Sequence, residues 1–430
     1  MRDRRTASPF DRLRVTVDRL RVTVEGTVVD VVSLRRAALG AATGFAFGYA
    51  ALRAAQALRD LHEPYPARGG REPKRYSAEQ RTLMVAGVVR TGAALAATAF
   101  ILADPVERAV RPLPRLLRAP AFACILLVLD SVRDLGVDYV ESHVRERSYG
   151  LTDQTAHGWL EDQAKGLAVG LVISALIMAL ADAIVRHAPR RWPLVAIAVT
   201  PPLLAFATIV APTFILPLFN TYVPVTGELE QRIRALAARY GAGNAAILRF
   251  DMSRQTKKAN AFVTGVLGTE RIVLGDTLVE AFPNDETLFV VAHELGHYVR
   301  RDPWLGIGLG TASLAVTLLV ADVVLQRTTQ RALDGPAQGA RLAFYATMVQ
   351  LTLGPLLNAA SRAMESRADR FALAATGDAA AGVRAFRRLG EQNLADPEPP
   401  RWAELLFGSH PSIATRIRKL AATIPPSAGS

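Results

Sequence analysis

Apolar residues in this chain come in long runs more often than in alternation. Runs nearly free of charge occupy 37–52, 83–103, 119–137, 166–181, 192–227, 304–321 and 342–360. They approach or exceed the roughly 20 residues a helix needs to cross a bilayer, so seven membrane helices are predicted. Arg90 lies inside the second run, Asp130, Arg133 and Asp134 lie in the second half of the third, and Pro201 and Pro202 break the fifth. Ions within a span are costly against lipid but tolerable where they face water, so the pattern predicts a bundle with a wet interior.

Where the runs stop, the pattern changes. Residues 228–302 form the longest stretch without a span and predict a helix near 228–240, a short strand at 246–250, strands at about 261–266 and 271–274, and a further helix. Residues 361 to about 422 predict helices with Pro/Gly breaks. The predicted organisation is a basic N-terminal segment (1–36), five spans with their loops (37–227), a small α+β domain (228–303), a membrane hairpin (304–360) and a C-terminal helical part (361–430). Residues 11–24 read DRLRVTV twice, a tandem copy with alternating valines, expected at the membrane surface or loosely ordered.

Composition agrees with a membrane protein: half of the 430 residues are apolar and the mean hydropathy is +0.19. A net charge of +12 would suggest nucleic acid in a soluble protein. Here the arginines cluster at the ends of apolar runs, as headgroup anchors do, and no basic patch is interleaved with aromatics, so no nucleic-acid partner is expected. The single cysteine, Cys124, lies within an apolar run, which excludes an intramolecular disulfide and a thiolate metal site. No signal peptide is expected, because the first apolar run begins late and lacks a convincing cleavage site.

The chemistry sits at the end of the soluble segment, in VAHELGHYVRRD, 291–302. On a helix, His293 and His297 leave the same face, with Glu294 one step round from the first. Zinc takes neutral imidazole nitrogens, and a catalytic site keeps one position for water, which Glu294 would deprotonate as general base. Asn284 or Asp285 can cap this helix, Arg300 and Arg301 suit its last turn, Pro303 fits its abrupt end, and Gly296 leaves room for close packing. A third ligand is sought in NAASRAMESRADRFA, 358–372, where Asn358, Arg362, Glu365 and Asp369 make a polar helical face. Glu365 would complete a His2Glu site, and Asp369 can hydrogen-bond a ligand histidine. The hairpin between the motifs returns both to one side of the membrane.

Other residues are more ambiguous. In HPSIATRI, His410 and Arg416 can each donate to an oxyanion, or serve as a helix-start turn and an ion-pair partner. The strand NAFVTG, with Asn260, Ala261 and Phe262, is either an edge that pairs with an extended peptide substrate or a core strand. His143 and His157 have no partner at metal spacing and are expected to be core or surface residues.

Together these motifs resemble the integral-membrane CAAX prenyl protease family of zinc metalloproteases: RSYGLTDQT with Trp159 and Asp162, then ILPLFNTYVP, NAFVTGVLGTERIVLGDTLV, HELGHY, NAASRAMESRADRFA and HPSIATRI, in order along most of the chain. The resemblance implies a mainly α polytopic bundle of about seven helices around a water-filled chamber, with one Zn2+ per chain. It implies His293, His297 and Glu365 as ligands, Glu294 as general base, Asp369 as a site carboxylate outside the metal's contacts, His410 and Arg416 near the substrate carbonyl, and Asn260 on the substrate-pairing strand. It also implies a multi-pass protein of the cell membrane with a cytosolic zinc domain, acting on peptides or membrane-associated proteins. Prenyl specificity is not carried over, and the ending PSAGS is not a prenylation signal. Two further readings are an HtpX-type quality-control protease, which has fewer spans, and a non-catalytic scaffold or transporter with a structural zinc.

Overall fold

The apolar runs from residue 83 onwards lie largely in helices in the structure, a computed structural model that describes residues 21–24, 27–30, 72–265, 269–330 and 333–424. In the N-terminal segment β1 (Arg21–Val24) and β2 (Thr27–Asp30) pair as an antiparallel hairpin. Residues 21–24 of the second DRLRVTV copy thus lie in a strand, which the alternating valines permit. The predicted first span, 37–52, lies outside the described residues.

Four long helices follow: α1 (Pro73–Val110), α2 (Arg115–Asp138), α3 (Ala156–His187) and α4 (Trp192–Leu218). They carry predicted spans two to five. Helix α2 keeps its charges paired, Arg133 bridging Asp130 and Asp134. Pro201 and Pro202 do not break α4, since a membrane helix in a bundle can re-satisfy the freed carbonyls locally. The fifth run ends earlier than predicted, because β3 (Tyr222–Pro224) leaves the helix to join a sheet.

The soluble segment contains α5 (Glu228–Arg239), β4 (Ala246–Phe250), β5 (Ala261–Thr264), β6 (Arg271–Gly275), α6 (Asp276–Ala281) and α7 (Asn284–Val299). Sheet order is β3-β4-β6-β5, with β4 and β6 parallel and both outer pairs antiparallel. One apolar core joins Ile233 and Leu236 of α5, Ile272 and Leu274 of β6 and Phe289, Val291 and Leu295 of α7. Burying such side chains contributes roughly 1.5–3 kcal/mol each, which fixes α7 against the sheet.

The chain then re-enters the apolar region through α8 (Asp302–Thr329) and α9 (Pro336–Thr376), which carry predicted spans six and seven. Helices α10 (Ala379–Gln392), α11 (Arg401–Phe407) and α12 (Ile413–Ala421) complete the chain. Five of the described helices, α1, α3, α4, α8 and α9, are long and apolar enough to cross a membrane. Contacts run α1 to α2, α2 to α3, α3 to α4, α4 to α8, α8 to α9 and α9 back to α1. The six long helices therefore close a ring. Leu176 of α3, 66 % exposed, and Val172, 61 % exposed, show the outward apolar surface that lipid would cover.

Candidate metal centre

Helix α7 buries Phe289, Val290, Val291, Ala292 and Leu295 in the soluble core. The face bearing His293 and His297 is then turned towards α9, which packs along α7. Close approach depends on Gly296: a Cβ there would lie 3.1 Å from Phe371 Cδ1 and 3.3 Å from Ala368 Cα. Neither Asn284 nor Asp285 caps the helix; Pro283 occupies that position and both polar residues fall inside the first turn. Pro303 does not merely follow the end of α7 but opens α8, after Arg301 reverses the chain in the left-handed region at φ 56°.

Helix α9 brings Glu365 across. Its Oε2 lies 3.2 Å from His293 Nε2 and its Oε1 3.3 Å from His297 Nε2, while the two Nε2 atoms are 3.3 Å apart. One ligand atom from each of the three residues falls within 4.8 Å of the others. Among the described residues this is the group of histidines, cysteines and acids that could hold a metal ion. The donors fit such an ion: Glu365 Oε2 is buried and accepts no well-oriented hydrogen bond although His293 is beside it.

Both imidazoles are held from behind. His293 Nδ1 meets Asp369 Oδ1 at 2.9 Å, and Arg416 donates to both oxygens of Asp369, at 2.6 and 2.9 Å. His297 Nδ1 meets Asp302 Oδ2 at 2.8 Å. Burial alone would lower the His293 pKa, but its hydrogen bonds to Asp369 and Glu365 outweigh this and push it up to about 9. His297 is raised in the same sense: burial opposes the shift, and Glu365 and Asp302 drive it. Glu294, one residue from His293, is raised because burial penalises its charge, and the two histidines only partly offset this. A carboxyl whose charged form is disfavoured by burial beside two histidines has the character of a proton-transfer group.

The remaining predicted residues divide. His410 joins the site, its Nε2 3.3 Å from Glu365 Oε1 and its side chain 58 % exposed. Arg416 joins it as the ion-pair partner of Asp369, with its guanidinium over the Phe386 ring. Asn358 and Arg362 brace the turn carrying His410, donating to the carbonyls of Leu406, Glu404 and Gly408. Strand β5 is a sheet edge packed against α7, and Asn260 just before it is exposed. Ala261 is buried in the core, and half-buried Phe262, on the opposite face of the strand, packs on Phe250. His143 is buried against Tyr139 and His157 is exposed, each away from the cluster. Asp302 was not singled out by sequence; its position five residues after His297, at the end of VRRD, was the available signal.

Comparison with known proteins agrees with this geometry. Residues 225–424 match Peptidase family M48, and residues 73–221 match the CAAX prenyl protease N-terminal region of five membrane helices. The chain is 30 % identical over 314 residues to an uncharacterized metalloprotease, YhfN, of Bacillus subtilis, covering 71 % of this chain and 73 % of that one. A CAAX prenyl protease 1 homolog of Oryza sativa is 28 % identical over 318 residues, covering 71 % and 73 %. The crystal structure of S. mikatae Ste24p superposes with a TM-score of 0.72 at 21 % identity, covering 88 % of this chain and 98 % of that one, which shows a shared fold. A metal-binding cluster held where a membrane hairpin meets a soluble domain, and matches that run through both parts, have one reading: the chain belongs to peptidase family M48, as a multi-pass membrane metalloprotease of the CAAX prenyl protease type that hydrolyses peptide bonds.

Proposed function

We propose that this metalloprotease is a zinc endopeptidase of the cell membrane, with its zinc domain in the cytosol, cleaving small or membrane-associated proteins. The observation that carries the zinc assignment is the convergence of His293, His297 and Glu365 within 4.8 Å, a two-imidazole, one-carboxylate set that leaves a fourth position for solvent. Zinc held there would supply a Lewis acid and a water acidic enough to lose a proton near neutral pH. Glu294, its pKa raised by burial, stands one residue from His293, where its carboxylate would accept a proton from the attacking water and pass it to the leaving amine. His410 stands on the open side of the cluster and donates to the oxygen that gains charge. Arg416 acts through Asp369, whose carboxylate holds His293 Nδ1 and so leaves Nε2 to the metal. An extended peptide pairs with the backbone of β5, with Asn260 at one end of that edge.

The match over 73–221 supports this reading over an HtpX-type protease. Glu294→Gln decides against a structural zinc: the variant should bind zinc as wild type does and cleave an unstructured reporter peptide about 10²–10⁴-fold more slowly. Undiminished turnover would remove the assignment of the base. The same variant, purified from its host's membranes, should carry trapped peptides that identify the substrate by mass spectrometry.

A further inference from the structure

The two histidines are supported in the same manner, but from different parts of the fold. Behind His293 stand Asp369 and Arg416, both within sequence motifs of the protease. Behind His297 stand Asp302 and Arg367: His297 Nδ1 to Asp302 Oδ2 is 2.8 Å, and Arg367 donates to Asp302 Oδ1 at 3.0 Å. Asp302 is 6 % exposed, so this carboxylate is held out of water by two partners and does not sit on a solvated face.

The backbone is bent to put it there. Successive residues of a helix are about 100° apart, so in an uninterrupted helix a residue five places beyond His297 would lie roughly 140° round from it and could not reach its ring. The chain instead leaves α7 at Arg300, passes through Arg301 at φ 56° and starts α8 at Asp302. A left-handed conformation at a non-glycine residue is unfavourable and persists where the surroundings demand it. Here the reversal returns Asp302 beneath His297. Asp302 is also the first residue of a membrane helix, and Arg367 lies two residues beyond Glu365 on the other arm of the same hairpin.

We propose that Asp302, clamped by Arg367, is a positioning residue for metal binding. It accepts the Nδ1 proton of His297, which fixes the tautomer whose Nε2 lone pair faces Glu365 and ties that ligand to the membrane hairpin. This rests on the zinc reading above. Arg367 acts only through Asp302, so its loss should have no effect once Asp302 is gone.

The test uses the full chain in detergent, with zinc affinity measured by competition against a chromophoric chelator and folding by thermal melts of chelator-treated protein. Asp302→Ala should raise the zinc Kd about 10–100-fold while the melt stays close to wild type. Arg367→Met should raise it several-fold, and the double variant should be no weaker than Asp302→Ala. Asp302→Asn should fall between, because His297 and Arg367 meet different oxygens of Asp302 and an amide puts a donor NH2 in place of one of them. A Kd for Asp302→Ala within twofold of wild type would overturn the proposal, as would additive effects in the double variant. Should Asp302→Ala fail to fold, wild-type affinities for both Asp302→Asn and Arg367→Met would overturn it equally. Wild-type protein that takes up no zinc would instead refute the zinc reading, so the two failures are distinguishable.

Discussion

Gly296→Ala tests whether the metal centre depends on how closely two helices approach. The added Cβ would sit 3.1 and 3.2 Å from Phe371 Cδ1 and Cβ and 3.3 Å from Ala368 Cα. Carbon atoms prefer about 3.5–4.0 Å, so α7 and α9 must separate by a few tenths of an ångström. A side-chain rotation cannot relieve it, because Ala368 Cα is backbone. Overpacking of this kind costs about 1–3 kcal/mol, and alanine returns about 1 kcal/mol of helix propensity, leaving a net destabilisation of about 0–2 kcal/mol. The metal is less forgiving. Both histidines ride on α7 and Glu365 on α9, so the separation enters directly into ligand distances that tolerate only about 0.2 Å. The zinc Kd of Gly296→Ala should therefore rise at least about tenfold, the size of effect that disturbed ligand support produces, and kcat/KM should fall. The melt of chelator-treated protein should move by a few degrees at most. Chelator competition and a reporter-peptide assay read the two quantities separately. Wild-type zinc affinity in this variant would refute the argument that helix spacing sets the site.

Other expectations follow from the same geometry. Glu365→Ala removes one of the three proposed ligands and should abolish stoichiometric zinc by elemental analysis; wild-type content would require a different third ligand. In chelator-treated protein, His293 at about 9 lies above its unfolded value of about 6.5. It therefore contributes about 3 kcal/mol of stability that is complete below pH ~6.5 and lost as pH rises through 9. Melts of that protein should shift downward between pH 6 and 9.5, and a flat profile would refute the shift. Arg362→Ala removes two charged hydrogen bonds to the Glu404 and Gly408 carbonyls, each worth about 1.5–3 kcal/mol; kcat should drop with zinc content intact, and an unchanged kcat would separate His410 from catalysis. Asn260→Ala should raise KM about tenfold for extended peptides, and an unaltered KM would argue against β5 as the substrate edge.

Much of the site was readable because its information is local. HExxH places His293 and His297 on one helical face with Glu294 beside them through periodicity alone, and the apolar runs that follow it predict the hairpin that returns Glu365. Apolar runs also predicted α1 to α4, α8 and α9, since length and lack of charge suffice to define a span. The errors lie where local signals were ambiguous. Pro201 and Pro202 read as a break, but a packed membrane helix accommodates them. Tyr222–Pro224 read as the tail of an apolar run, but an open edge of β4 recruited it as a strand. At β5 the sequence named Ala261 and Phe262 together; as neighbours on a strand they face opposite ways, Ala261 into the core and half-buried Phe262 onto Phe250.

The sequence by itself determined the metalloprotease motif and the succession of long apolar helices, because both are written in residue type at fixed spacing. It could not choose between the two readings of Arg416, nor show that Asp302 and Arg367 stand behind His297. Those depend on which helices touch and at what distance. The packing of α7 on α9, permitted by a glycine and closed by buried ion pairs, brings together groups more than sixty residues apart in the chain, and no periodicity encodes that distance.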